Sequence, residues 1–88
     1  MSFRYATDSF ESVPSSESRR LLRKCDWLWA NRHLLTHTAL RHDLNPLLKW
    51  AVGSYRIIYT YDEDADDMVV HLVAHRRDVY KQASNIEV

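Results

Sequence analysis

Basic side chains recur in the C-terminal half of the chain, close to residues that can carry protons or stack on bases. Lys49 lies in the segment "LLKWAV", Arg56 lies in "GSYRIIY", and His75, Arg76 and Tyr80 lie in "AHRRDVY". A guanidinium is permanently charged and forms paired hydrogen bonds with phosphate oxygens. If neighbouring strands bring these side chains to one face, that face would bind phosphate.

The same charges also have an ordinary structural explanation, which the residues alone leave open. Long basic side chains at strand ends often bury their stems and keep their charged heads in water. The whole chain is neutral, with twelve basic and twelve acidic residues, so its net charge does not indicate a nucleic-acid partner. Five of the acidic residues lie within 62–67, "DEDADD", which predicts an acidic tip on a basic body.

The elements that must position these residues can be inferred from periodicity and turn signals. Phe3 and Tyr5 alternate with polar neighbours in a short strand, and "TDSFESVP" indicates a short helical turn. Apolar residues at i, i+4 and i+7 predict a helix over 15–32. "LLKWAV", "YRIIYTY" and "MVVHLVAH" predict antiparallel strands joined by short turns, the first turn being Gly53-Ser54.

The predicted order is therefore β-α-α-β-β-β. It indicates an α+β fold in which a small antiparallel sheet packs against two N-terminal helices. With 88 residues, the chain is expected to form one domain over 1–88.

Histidine, cysteine and acidic residues give no recognisable metal-ligand pattern. His33 and His37 have i, i+4 spacing, and His71 and His75 are expected on one side of a strand, but no Cys or carboxylate completes either set. "DEDADD" begins like a calcium loop but lacks the required Gly, which favours a solvated turn. We therefore expect neither a metal nor another cofactor.

Cys25 is the single cysteine, and the chain has no long apolar run. Together these features predict a soluble cytoplasmic protein that does not interact with a membrane.

The pair of motifs "G-x-Y-R-I-x-Y" and "HRR-x-VY" resembles the C-terminal half of the RelE/ParE superfamily of bacterial toxins, and the preceding elements match in order. In the RelE-like branch, the resemblance implies the toxin of a type II toxin–antitoxin system. Such a toxin cleaves mRNA in the A site of the 30S ribosomal subunit without a metal. The ribose 2′-oxygen attacks the adjacent phosphate, which leaves a 2′,3′-cyclic phosphate. The resemblance also implies a RelB-like antitoxin that holds the toxin inactive.

The resemblance assigns roles to individual positions. Arg56 would contact the scissile phosphate, and Lys49 matches a basic position on the preceding strand. Arg76 matches the catalytic Arg near the end of the last strand, Tyr80 matches the C-terminal Tyr that orients a base, and His75 is a candidate acid or base. Arg77 is the alternative to Arg76, and it is also expected to bind RNA together with Lys81.

Two departures from the family pattern keep other functions open. Relatives often carry a second basic residue where this chain has Ala51, and well-studied RelE-like toxins are strongly basic whereas this chain is neutral. One alternative is a ParE-like inhibitor of DNA gyrase without nuclease activity. Another is a degenerate toxin that only binds its antitoxin.

Overall fold

The computed structural model describes residues 1–86, which form one mixed sheet with helices on both faces. The sheet has five strands in the spatial order β1-β5-β4-β3-β2. Along the chain the elements are β1 (Ser2–Tyr5), α1 (Ser15–Ala30), β2 (Thr38–Ala39), a 3₁₀ turn (His42–Leu44), β3 (Leu48–Val52), β4 (Tyr55–Asp62), β5 (Asp67–His75) and α2 (Val79–Ala83).

The α+β class, the long helix and the three C-terminal antiparallel strands are confirmed. Gly53 adopts a φ of 57° in the turn between β3 and β4, a left-handed conformation that glycine reaches without steric cost. α1 buries Leu21, Cys25 and Leu28, the apolar stripe expected from the sequence. No helix within residues 1–86 is long and apolar enough to cross a membrane.

Three details of the predicted architecture were wrong. β1 pairs with β5 in parallel, so the sheet is mixed rather than antiparallel. The segment before α1 forms successive turns with i to i+3 hydrogen bonds instead of a helix. Asp8 has a φ of 63° there, and a left-handed residue cannot continue a right-handed helix. The second helix, α2, lies at the C-terminal end and not before the sheet.

A β-bulge in β5 corrects the expected position of two histidines. Two consecutive residues of β4 pair with Val70 and Leu72, which leaves His71 as the extra residue. The bulge reverses the alternation of side chains beyond it. His75, which pairs with Tyr55, therefore lies on the opposite face from His71 rather than on the same side.

Each face of the sheet carries its own apolar core. The face toward α1, called the α1 face, packs the buried residues of that helix against Ile57, Tyr59, Met68, Val70 and Val73. The other face, called the α2 face, packs Val79 and Ala83 of α2 against Leu40, Leu47, Ile58, Leu72 and Ala74. The sheet is therefore the middle layer, and side chains of β3 and β4 alternate between the two faces.

A polar network anchors the loop after α1 to the sheet. The hydroxyl of the fully buried Tyr59 lies 2.6 Å from Nδ1 of His37, and the His37 Nε2 lies 2.9 Å from the carbonyl oxygen of Arg32. The Arg32 guanidinium forms two hydrogen bonds of 2.7 and 2.8 Å with Asp66. Hydrogen bonds from Arg32 and then Tyr61 hold the pKa of Asp66 well below its usual range.

Candidate functional site

The structure brings Lys49 and Arg56 together on the α2 face. Ala51 pairs with Arg56 across β3 and β4, and Lys49 lies two residues before Ala51 on the same face of β3. The three residues line a groove of about 420 Å³ together with Thr38 and Trp50. We call it the Lys49–Arg56 groove.

Backbone carbonyls of the β3–β4 turn hold the Arg56 side chain in place. Its Nη1 donates hydrogen bonds of 2.9 Å to the carbonyl oxygens of Gly53 and Tyr55. Within residues 1–86, Nη1 is the only nitrogen of this guanidinium with a hydrogen-bond partner. The Nε and Nη2 groups are therefore free to donate to an anion in the groove.

The end of β5 places Arg76 beside this turn. The Arg76 backbone N–H donates a 2.7 Å hydrogen bond to the carbonyl oxygen of Ser54, which extends the β4–β5 ladder one pair past His75. Arg76 is exposed and lies in the turn after β5, two residues past Ala74, the partner of Arg56. Its backbone is therefore next to the turn that holds Arg56.

His75 lies on the α1 face, so the expectation that it shares a face with Lys49 and Arg56 is wrong. Its ring packs edge-on against Tyr55, with 5.6 Å between the ring centroids. The backbone N–H of Arg77 donates a 3.2 Å hydrogen bond to Nδ1 of His75. Because Nδ1 accepts this bond, the neutral ring carries its proton on Nε2. His75 is the last residue of β5, so this proton lies at the strand end.

The short helix α2 presents Tyr80 and Lys81 above the α2 face. Tyr80 is 38% exposed, and the Arg41 guanidinium lies over its ring at 5.4 Å from the centroid. Asp43 accepts hydrogen bonds of 2.9 and 2.6 Å from Arg41, and these bonds raise the pKa of Arg41. Sequence reasoning missed Arg41, which lies in a segment without clear periodicity. It also missed Thr38 and Trp50 in the groove.

The cations assigned to the site lack carboxylate partners in the described part of the chain. The ion pairs found within residues 1–86 involve other residues. The unpaired cations are Lys49, Arg56, Arg76, Arg77 and Lys81. No cluster of three or more metal-ligating side chains occurs among these described residues. The arrangement can therefore bind an anion through direct electrostatic contacts.

Comparisons with known proteins identify the fold. No protein-family model and no curated protein matches the chain. A chain in the crystal structure of the RelBE2 toxin–antitoxin complex from Mycobacterium tuberculosis matches with a TM-score of 0.71 at 21% identity. That match covers 88% of this chain and 92% of the other.

A chain in the RelB–RelE antitoxin–toxin complex from Methanococcus jannaschii matches with a TM-score of 0.58 at 18% identity. This second match covers 89% of this chain and 95% of the other. At these identities the likeness concerns the fold. The chain therefore shares the fold of a chain in each of these two toxin–antitoxin complexes, in agreement with the resemblance carried by its two C-terminal motifs.

Proposed function

We propose that this protein is the toxin of a toxin–antitoxin system and cleaves mRNA on the ribosome. The observation that carries the proposal is the Lys49–Arg56 groove, with the backbone of Arg76 hydrogen-bonded to the adjacent β3–β4 turn. Two cations that line one open groove suit a phosphate that gains negative charge during a reaction. The two matched structures contain toxin–antitoxin complexes, which supports the first part of the proposal.

The proposed reaction is an internal transfer within the RNA. The ribose 2′-oxygen attacks the adjacent phosphorus as its proton passes to water, and the bond from phosphorus to the 5′-oxygen breaks. The 5′-oxygen gains a proton, so the products are a 2′,3′-cyclic phosphate and a 5′-hydroxyl. Arg56 donates from Nε and Nη2 to the phosphate oxygens, while Lys49 and Arg76 add charge stabilisation.

His75 and Tyr80 are assigned the remaining roles. The candidate donor of a proton to the leaving 5′-oxygen is Nε2 of His75 in its imidazolium form, which becomes a neutral ring after the transfer. Because the leaving 5′-oxygen is bonded to the phosphorus that Arg56 contacts, this transfer requires the phosphate to lie at the strand end, between Arg56 and His75. Tyr80, with Arg41 over its ring, would stack on a base. Arg77 and Lys81, both exposed, would contact flanking phosphates.

Cleavage of mRNA on programmed ribosomes tests this function. We expect the wild-type protein to cut within the A-site codon, and Arg56→Ala to lower the rate about 100-fold or more, as for other groups that stabilise transition-state charge. Arg76→Ala should also be impaired. Arg4→Ala is the matched control, because Arg4 is an exposed arginine on β1. Folded wild-type protein that cuts at no codon would refute the proposal.

Inhibition of DNA gyrase is the second candidate function. It is favoured by Ala51, which is exposed and pairs with Arg56 at the position where relatives often have a second cation. A supercoiling assay separates the two functions. Inhibition by wild-type protein that persists in Arg76→Ala and Tyr80→Ala would support the gyrase function over RNA cleavage.

The proposed partner is an antitoxin that covers the site. A protein without intrinsic activity would still bind this partner, so binding must be measured separately from cleavage. Toxicity on expression alone, relieved by co-expression of a short neighbouring reading frame, is the expected result. Harmless expression of folded protein would support a degenerate toxin instead.

A further inference from the structure

One face of α1 carries a continuous row of basic residues that the proposed reaction does not use. Helical i, i+3 and i+4 spacing aligns these residues along an open groove of about 490 Å³. At 1.5 Å per residue the row is about 16 Å long. Its members, called the α1 basic stripe, are Ser16, Arg19, Arg20, Arg23, Lys24 and Trp27.

Most of the charge on the stripe is uncompensated. Arg20 forms hydrogen bonds of 3.0 and 2.6 Å with Glu17, which neutralises it locally. Within residues 1–86, Arg19, Arg23 and Lys24 form no ion pair. Arg19 and Arg23 are exposed. Three cations at helical spacing therefore have no anionic partner in the described chain, and two of them are exposed to solvent.

The stripe adjoins the Lys49–Arg56 groove. Trp27 at one end of the stripe contacts Trp50, with 5.6 Å between the ring centroids, and Trp50 also lines the groove. β2 pairs only with Leu48 and Lys49, so residues 50–52 of β3 lie at an edge of the described sheet. A bound strand can pass around this edge from one surface to the other.

We propose that the α1 basic stripe is a second phosphate-binding surface, which holds single-stranded RNA that extends from the Lys49–Arg56 groove. The inference rests on the proposed function for its choice of RNA. The contacts favour RNA over an acidic peptide helix, because the Lys24 ammonium covers one face of Trp27 at 4.1 Å from the ring centroid. An apolar side chain of a peptide would have to displace this cation, whereas phosphates need only the charges.

The test is the salt dependence of binding to an RNA that cannot be cleaved. A fluorescent single strand with 2′-O-methyl groups throughout lacks the attacking hydroxyl, so anisotropy reports binding alone. We expect Arg19→Gln and Arg23→Gln each to reduce the slope of log Kobs against log salt by about 0.7, the value for one phosphate contact on a single strand. The matched control Arg4→Gln should keep the wild-type slope.

A gain of binding separates the proposal from damage to the fold. Glu17→Gln removes the carboxylate that pairs with Arg20 and leaves a fourth cation free on the stripe. We expect tighter binding than wild type and a slope steeper by about 0.7. Thermal unfolding of each variant and of the Arg4→Gln control checks that the fold is intact.

The outcomes distinguish this inference from the proposed function. If the Arg19 and Arg23 variants bind RNA as wild type does while Arg56→Gln binds weakly, RNA binding by the α1 basic stripe is refuted and RNA binding by the Lys49–Arg56 groove is supported. If wild-type protein cuts no RNA but these variants still lose binding, the stripe stands and the nuclease function fails. Tighter binding of poly-glutamate than of RNA, lost in the same variants, would replace RNA by an acidic protein partner and overturn the inference.

Discussion

Removal of the Tyr59 hydroxyl is expected to destabilise the fold through the loss of one partly buried hydrogen bond. Tyr59 is fully buried, and burial raises its pKa to about 12, so the phenol remains a neutral donor under ordinary conditions. Its hydroxyl lies 2.6 Å from Nδ1 of His37, whose Nε2 lies 2.9 Å from the Arg32 carbonyl oxygen. In Tyr59→Phe the ring remains, but Nδ1 of His37 loses its donor.

The cost follows from leaving a half-buried acceptor without its donor. Loss of a typical hydrogen bond destabilises proteins by about 0.5–1.5 kcal/mol. For a domain of this length, each kcal/mol lowers Tm by about 4–8 °C. Little packing is lost, because the aromatic ring is kept. Tyr59→Phe should therefore lower the free energy of unfolding in this range while leaving the denaturant m value unchanged.

Urea unfolding followed by fluorescence measures the effect. Tyr5→Phe is the matched control, because the Tyr5 hydroxyl lies 3.5 Å from Asp26, at the limit of a hydrogen bond, and its loss should cost below about 0.5 kcal/mol. In a His37→Ala background, Tyr59→Phe should cost at least about 0.5 kcal/mol less than in wild type. Equal midpoints for wild type and Tyr59→Phe would refute the reasoning.

Three further predictions concern the site, pH and the core. Ala51→Lys should tighten RNA binding, which anisotropy measures. It should also lower stability by about 0.2–1 kcal/mol in urea unfolding, because the new ammonium lies directly across from the Arg56 guanidinium and the like charges repel. Burial, and then the charge of Arg4, lower the pKa of His71. As the pH falls, the unfolded chain therefore protonates at His71 before the folded chain does, and folding stability is lost below about pH 6.5. The variant His71→Gln should lose less stability than wild type between about pH 7.5 and 5. Leu28→Ala, at a fully buried position, should cost about 2–5 kcal/mol in urea unfolding.

Short sequence patterns predicted the helix and the turn whose conformation depends on neighbouring residues in the chain. The apolar spacing of Leu21, Cys25 and Leu28 predicted α1, and Gly53 predicted the turn that positions Arg56. The parallel pairing of β1 with β5 joins residues about 65 positions apart, as in the Ser2 to Asp67 pair, and no local signal reports it. The bulge at His71 was invisible because the run "MVVHLV" does not alternate between polar and apolar residues.

The candidate site also combines features with local causes, which the sequence can predict, and contacts between distant residues, which it cannot. Alternation along β3 and β4 is a local property, and together with the register of the hairpin it places Lys49 and Arg56 on one face, as was expected if the strands are neighbours. The contact of Arg41 with Tyr80 depends on the loop before β3 packing against α2, nearly forty residues later. Whether these residues act in catalysis remains a prediction that the proposed variants test.

The neutral net charge of the chain does not oppose binding of a polyanion, because the turn that holds five of its twelve acidic residues lies away from the groove. Arg56 is near the start of β4, whereas Asp62 ends the same strand and begins the acidic turn. At 3.3 Å per residue these positions are about 20 Å apart, which exceeds two screening lengths of about 8 Å at physiological salt. Within that turn, Asp66 is also paired with Arg32. RNA at the groove therefore meets the local cations, and the net charge of the chain is a poor guide to its affinity.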